Sequence, residues 1–282
     1  MLVFNALEKL KKYVDSKTLK IGLVPTMGGL HKGHLSLVEK ACSENDLVVV
    51  SIYINPTQFN DQNDLKKYPF NLARDKAFLS SFSKNVVIYN PDNDEIYPSG
   101  IKSNSYNFGS IALHMEGKFR PGHFNGVATV IEKLLKDIRP SNAYFGEKDY
   151  QQIQIIKKLN KNLKLGVKLI NCPTQREKDG LAISTRNKFL NPRQRSAAKK
   201  IYFALRELKL KKTKKNFTEM KRFFINTVEH SKDLKVEYFC IASIDDLIPV
   251  VKFQKLKKYR IFVAVFAGEI RLIDNEEIKI FN

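Results

Sequence analysis

Residues 47–54, Leu-Val-Val-Val-Ser-Ile-Tyr-Ile, form a nearly unbroken apolar run rich in β-branched side chains, and an Asn-Pro pair at Asn55 and Pro56 stops it. A strand with one wet face alternates polar and apolar residues, whereas a run like this must be covered on both faces, as in a parallel sheet clothed by helices. A shorter run of the same kind, 21–24, ends at Pro25, and the intervening 33–43 is helix-like. Strand, helix, strand is the parallel crossover unit. The alternation continues with helices predicted over 72–82, 127–137 and 150–159 and strands over 86–89, 143–145 and 167–170; Leu7, Leu10 and Val14 mark an opening amphipathic helix. The expected fold class is α/β, with a doubly wound sheet whose ligands lie beyond the carboxyl ends of its strands.

After Cys172 and Pro173 the texture changes to a polar loop, Lys-rich helices over 192–210 and 217–228, and strand-like runs at 236–242, 261–266 and 270–273. This is an α+β pattern, so two domains are expected, 1–173 and a smaller 174–282.

Lys and Arg number 49 against 29 acidic residues, a net charge of +20 that draws in anions such as nucleotides or nucleic acid. The lysines are scattered as pairs, with no basic-aromatic recognition stripe, so an RNA-binding module is the weaker of the readings that the charge allows. Cys42, Cys172 and Cys240 lack the short paired spacing of a zinc site or a disulfide framework and read as reduced packing residues. No run approaches the roughly 18 apolar residues of a membrane span. The start, Met1 to Tyr13, shows no small-residue cleavage site, so a cytoplasmic protein without membrane partners is expected.

Five segments carry chemistry, most of them at predicted strand ends. The sharpest runs Met27, Gly28, Gly29, Leu30, His31, Lys32, Gly33, His34, between a strand and a helix. A helix start offers unpaired N–H groups and positive potential, glycines allow close backbone approach to phosphate, and two imidazoles can donate to its oxygens. It is neither a Walker loop nor a Gly-x-Gly-x-x-Gly turn. The second segment holds Asn55 and Gln58, whose amides can bind hydroxyl and carboxylate oxygens or simply form a turn. In the third, before the helix at 127, Arg120 is either a substrate ligand or a loop brace, and His123 reads as a brace. The fourth, Gly146, Glu147, Lys148, Asp149 with Gln152, offers a phosphate-binding cation and a ribose-binding carboxylate, or an ordinary helix cap. The fifth, Arg176 to Asn187 with Ile183, Ser184, Thr185 and Arg186, is either a mobile clamp on phosphates or an exposed turn.

The His-x-Gly-His form is similar to the signature of nucleotidylyl transferases and adenylate-forming synthetases. With all five segments in order from about residue 23 to 190, the sequence resembles the pantothenate synthetase family. The resemblance implies a Rossmann-like ATP-binding domain, a smaller lid domain, a homodimer and a Mg2+-dependent reaction that joins pantoate to β-alanine through an acyl adenylate, with no nucleic-acid partner. Position by position it implies ATP contacts at Met27 to His34, at Gly146 to Asp149, and at Gln175, Ile183, Ser184, Thr185 and Arg186. His34, His31, Lys148 and Arg186 would be catalytic, and Gln58, Gln152, Asn55 and Arg120 would bind substrate. Asp75 aligns with a carboxylate associated with the metal. Phe70, Lys32, Thr185 and Gln175 depart from familiar residues of the family. A nucleotidylyl transferase that keeps AMP in its product is the alternative.

Overall fold

Six parallel strands build the first part of the computed structural model, which describes residues 1–15, 19–82, 84–210, 216–254 and 257–279. They are β1 (Val3–Phe4), β2 (Ile21–Thr26), β3 (Leu47–Ile52), β4 (Val86–Tyr89), β5 (Asn142–Gly146) and β6 (Lys168–Cys172), in the order β1-β4-β3-β2-β5-β6. From β2 the chain steps outward through β3 and β4, and then returns to add β5 and β6 on the other side. The direction of winding therefore switches between β2 and β5, the place where doubly wound sheets bind ligands. Both faces are dry, as the apolar runs require: Val24, Val48, Val50 and Ile88 pack with Leu37, Val38 and Ala41 of the helix Lys32–Glu44, and the alternate residues Leu23, Val49 and Val87 are equally buried. The short β1 was not anticipated, because two residues carry too little pattern to read.

Pro25 was expected to end β2 and instead lies within it, in register with Ser51. The Thr26 carbonyl accepts from Tyr53 N–H on the β3 side, and the Ile21 carbonyl accepts from Ser141 N–H on the β5 side. Residues of a strand alternate between their neighbours, so Pro25 shares the side of Ile21 and Leu23 and turns its missing N–H toward β5. The β2–β5 ladder accordingly consists of Gly22↔Asn142 and Leu23↔Ala143 alone, whereas β2 and β3 stay in register from Ile21 to Thr26. The sheet is thus unzipped at its switch point.

The chain divides into two compact units, and the crossings are more numerous than one domain boundary. The first unit comprises Met1–Phe108, Arg120–Glu147 and Gln152–Pro173; the second takes Gly109–Phe119, Lys148–Gln151 and the residues from Thr174 onward. In the second unit β7 (Leu234–Ser243), β8 (Tyr259–Ala267) and β9 (Ile270–Ile278) form an antiparallel sheet in sequence order. Phe239, Ile241, Ile261 and Val263 pack on the helices Pro192–Leu210 and Phe217–Glu229. The alternate residues Tyr238, Cys240, Ala242 and Phe262 face the other way and pack with Met115 and Tyr150, which explains why two short pieces from earlier in the chain join this unit. No helix among the described residues is long and apolar enough to cross a membrane.

The piece Gly109–Phe119 is also held by charge. Arg271 of β9 donates to both Glu116 carboxylate oxygens at 2.8 Å and to Glu237 at 2.6 and 2.9 Å, while the Tyr238 hydroxyl donates to Glu116. Burial, followed by the Glu116 charge, pushes the Tyr238 phenol well up, so it remains a donor. Removing the guanidinium would leave two carboxylates without their cation. Arg271→Met is expected to cost about 3–5 kcal/mol in urea unfolding, the range for breaking a largely buried pair.

Candidate active site

The loop leaving β2 is shaped by two consecutive left-handed residues, Gly28 (φ 80°) and Gly29 (φ 61°), a conformation that glycine alone adopts without strain. The glycines were expected to let the backbone approach phosphate closely. In the structure Gly28 N–H donates to Thr26 Oγ1 at 3.2 Å, and Gly29 and Leu30 N–H donate to the two carboxylate oxygens of Asp75, each at 2.8 Å. Asp75, anticipated beside a metal, is 1% exposed and holds this loop. Among the described residues no group of three or more His, Cys, Asp or Glu side chains is arranged to hold a metal ion. In the first turn of the helix Lys32–Glu44, the His34 N–H donates to the His31 carbonyl at 2.8 Å, while the Lys32 and Gly33 N–H groups have no preceding turn to bond.

His31 caps that helix, and its ring stacks on that of His34 with centroids 4.0 Å apart and planes 20° from parallel. His31 N–H donates to His34 Nδ1 at 3.3 Å. An Nδ1 that accepts leaves the proton of a neutral imidazole on Nε2, so His34 presents a donor on its far edge. Leu30, 2% exposed, roots the loop in the core. Lys32 is exposed.

The loop after β3 places Gln58 in the same unit, its Nε2 2.8 Å from Met27 Sδ. Asn55 was expected to contact substrate; the structure shows its amide fully used by the protein. Nδ2 donates to Gln58 Oε1 and to the Gly126 carbonyl, both at 3.0 Å, and Oδ1 accepts from Thr57 and, at 2.5 Å, from the Tyr97 hydroxyl. Burial pushes the Tyr97 phenol up, which keeps it a donor. By holding Gln58 Oε1, Asn55 fixes the orientation of the Gln58 amide, whose Nε2 lies toward Met27 Sδ. Arg120 is likewise engaged within the loop, donating to the Gln58 carbonyl at 3.1 Å, and its Nη1 lies 3.2 Å from His123 Nε2. His123 Nδ1 is 2.9 Å from the same carbonyl, the bracing role read for it from sequence.

Gly146 ends β5, Glu147 opens the short turn Glu147–Asp149, and Gln152 sits half-buried on the first turn of the helix Tyr150–Asn162. Its neighbour Gln151, 3% exposed, is structural: Nε2 donates to the Ile111 and His114 carbonyls and Oε1 accepts from Glu116 N–H. Lys148, in the second unit, is half-buried with Nζ 3.5 Å from Asp149, and its carbonyl accepts from Asn275 Nδ2 at 2.9 Å. Asn275, buried on β9 and gripped by Arg260 at 2.6 Å, carried no sequence signal, because a lone Asn among polar neighbours has no pattern.

The fifth segment opens with a hydrogen-bonded hairpin. Ile183 N–H donates to the Gln175 carbonyl, and Arg176 pairs with Ala182, making a hairpin that turns at Gly180 (φ 92°). Arg176 is locked onto Asp274 by two bonds of 2.6 and 3.0 Å and lies 3.8 Å over the Tyr202 ring. Ser184 then caps the short turn Thr185–Phe189, its Oγ accepting from Arg186 N–H at 3.3 Å, which leaves the hydroxyl its own proton to donate. Thr185 and Arg186 are half-buried.

A helix start carrying two stacked imidazoles at the unzipped switch point of a parallel doubly wound sheet defines a nucleotide-handling α/β enzyme. The family model described as pantoate-beta-alanine ligase matches residues 2–277, and the chain belongs to that family. The pantothenate synthetases of Flavobacterium psychrophilum and Christiangramia forsetii are 42% and 43% identical to it, over 99% and 97% of this chain and 100% and 95% of theirs. The solved pantothenate synthetase of Thermus thermophilus matches with a TM-score of 0.89 at 35% identity, covering 98% of this chain and 99% of that one. The pantoate-beta-alanine ligase of Francisella tularensis, solved in complex with beta-gamma ATP and beta-alanine, matches with 0.82 at 41% identity, covering 98% and 97%.

Gly126 shows how tightly the Gln58 loop is held, since a Cβ there would stand 2.5–2.7 Å from the Thr57 carbonyl and Gln58 N. Gly-to-Ala changes stabilise ordinary helix interiors, but Gly126→Ala is expected to destabilise by about 1–3 kcal/mol, the cost of overpacking. Thermal unfolding measures this, and a neutral or stabilised variant would show that helix and loop part freely.

Proposed function

We propose that this enzyme is an ATP-dependent ligase that condenses pantoate with β-alanine to pantothenate through a pantoyl adenylate, releasing pyrophosphate and AMP. The observation that carries the reading is the stacked His31–His34 pair at a helix start, in the same unit as an amide, Gln58, locked in one orientation. In the first step a pantoate carboxylate oxygen bonds to the α-phosphorus while the bond to pyrophosphate breaks. Charge grows on the phosphoryl oxygens, where the His34 Nε2 proton is the donor assigned to meet it and His31 its partner. Lys148 and Arg186 are the proposed cations for the triphosphate, with the Ser184 and Thr185 hydroxyls beside them in the same role.

Gln58 and Gln152 are the proposed ligands of pantoate. Among the described residues the Gln58 N–H pair donates only to a thioether, a weak acceptor that a carboxylate or hydroxyl oxygen displaces readily. Among the described residues no hydrogen bond holds the Gln152 side chain, so its amide is available to substrate. In the second step the β-alanine amine attacks the acyl carbon, AMP leaves and the amine gives up a proton; an already activated anhydride needs no protein nucleophile. Mg2+ is proposed to arrive on the nucleotide, whose phosphate oxygens are its usual ligands. A homodimer in the cytoplasm belongs to the same proposal and rests on the family resemblance; sedimentation tests the dimer.

His34→Ala is expected to cut pantoate-dependent ATP–pyrophosphate exchange by roughly a hundredfold or more, the size of a lost transition-state donor. Mass spectrometry of the complete reaction should find pantothenate and free AMP. AMP retained in the product would identify a nucleotidylyl transferase instead.

A further inference from the structure

The Gly28–Gly29 turn points successive N–H groups into one concavity, the arrangement that receives anions. The anion it holds belongs to the protein: Asp75 Oδ2 accepts from Gly29 and Oδ1 from Leu30, and a Cβ on Gly28 would stand 3.0 Å from Oδ2. Asp75 comes from the helix Leu72–Phe78, 45 residues further along the chain from Leu30. One peptide bond beyond Leu30, His31 is extended (φ −144°, ψ 176°) and its N–H seats His34 Nδ1. The carboxylate, the loop amides, the His31 backbone and the His34 ring thus form one continuous series of bonds. A Mg2+ ligand set needs several oxygens converging on one point, whereas here a single carboxylate faces two N–H donors.

We infer that Asp75 is a positioning residue for the histidine pair: its buried carboxylate fixes the Gly29 and Leu30 peptides and through them the placement of His31 and the tautomer of His34, and it is not a ligand of the metal. The inference rests on the roles proposed for the two histidines. Its reach is confined to the adenylation step, because the attack of an amine on a preformed acyl adenylate does not call on those rings.

Asp75→Asn keeps the size of the side chain but replaces one acceptor oxygen by an NH2 group that faces a backbone N–H. The unpaired N–H is expected to lower the unfolding temperature by a few degrees, and the folded variant to lose about ten- to a hundredfold in pantoate-dependent ATP–pyrophosphate exchange, the scale of a misplaced catalytic group. Conversion of supplied pantoyl adenylate and β-alanine to pantothenate should stay within about twofold, since a merely structural defect would lower both steps alike. The Mg2+ concentration for half-maximal exchange should not move, and the histidine ring proton resonances of the free protein should shift. Equal exchange in both proteins, equal losses in both steps, or a severalfold higher Mg2+ requirement would overturn the positioning role. If the variant does not fold, hydrogen exchange on the unsubstituted protein decides: the Gly29 and Leu30 amides should be protected although they lie in a loop, and rapid exchange there would overturn the role. An unsubstituted enzyme with no exchange activity refutes the proposed function, while the resonance and hydrogen-exchange arms still judge Asp75.

Discussion

The site depends on a hydrogen-bond ladder that stops early. Interior strands of a parallel sheet pair along their whole length because an unpaired backbone group costs free energy in a dry environment. β2 is paired with β3 from Ile21 to Thr26 but with β5 only at Gly22 and Leu23, and Pro25, with no N–H to give, faces the gap. A ligand site at a switch point needs its two central strands to part, and a proline placed on the correct side of one of them prevents their closing. The chain beyond Thr26 is then free to turn through Gly28 and Gly29 and start a helix at the opening.

Around that opening, the polar groups nearest the proposed chemistry are held by others that are already saturated. Asp75 uses both oxygens on the histidine loop, Asn55 uses its whole amide on the Gln58 loop, and Arg120 and His123 share the Gln58 carbonyl. Rings and amides that must meet a transition state lose rate steeply when displaced, and supporting bonds of this kind keep them in place. Gln151 and Gln152 show the division between adjacent residues: one is buried and ties down Glu116, and the other, proposed to meet substrate, is half-buried.

The second unit answers a different constraint. A three-stranded antiparallel sheet with helices on one side exposes its other face unless something covers it, and here Met115 and Tyr150 do so. Recruiting Gly109–Phe119 and Lys148–Gln151 from within the first unit's stretch of chain makes Lys148, which follows β5 almost directly, part of the same body as Ser184 and Arg186. Three of the proposed phosphate ligands, Lys148, Ser184 and Arg186, therefore belong to one unit although they come from separate stretches of chain.

By itself the sequence determined the alternation of strands and helices, because an apolar run such as Leu47–Ile52 has no stable place except between two covering layers, and it singled out the segments to which chemistry is here assigned, because glycines, imidazoles and amides gather at strand ends for few other reasons. It also marked the second unit as α+β, although β9 was read only to residue 273: Asp274 and Asn275 look unfit for a buried strand until Arg176 and Arg260 are seen beside them. Which polar side chain serves substrate and which serves its neighbour was decided by tertiary structure alone. The roles of Asp75, Asn55 and Arg120 turn on partners 45 to 71 residues away in sequence, and a donor's capacity is spent on whatever acceptor the fold brings within about 3 Å, a distance that linear order does not encode.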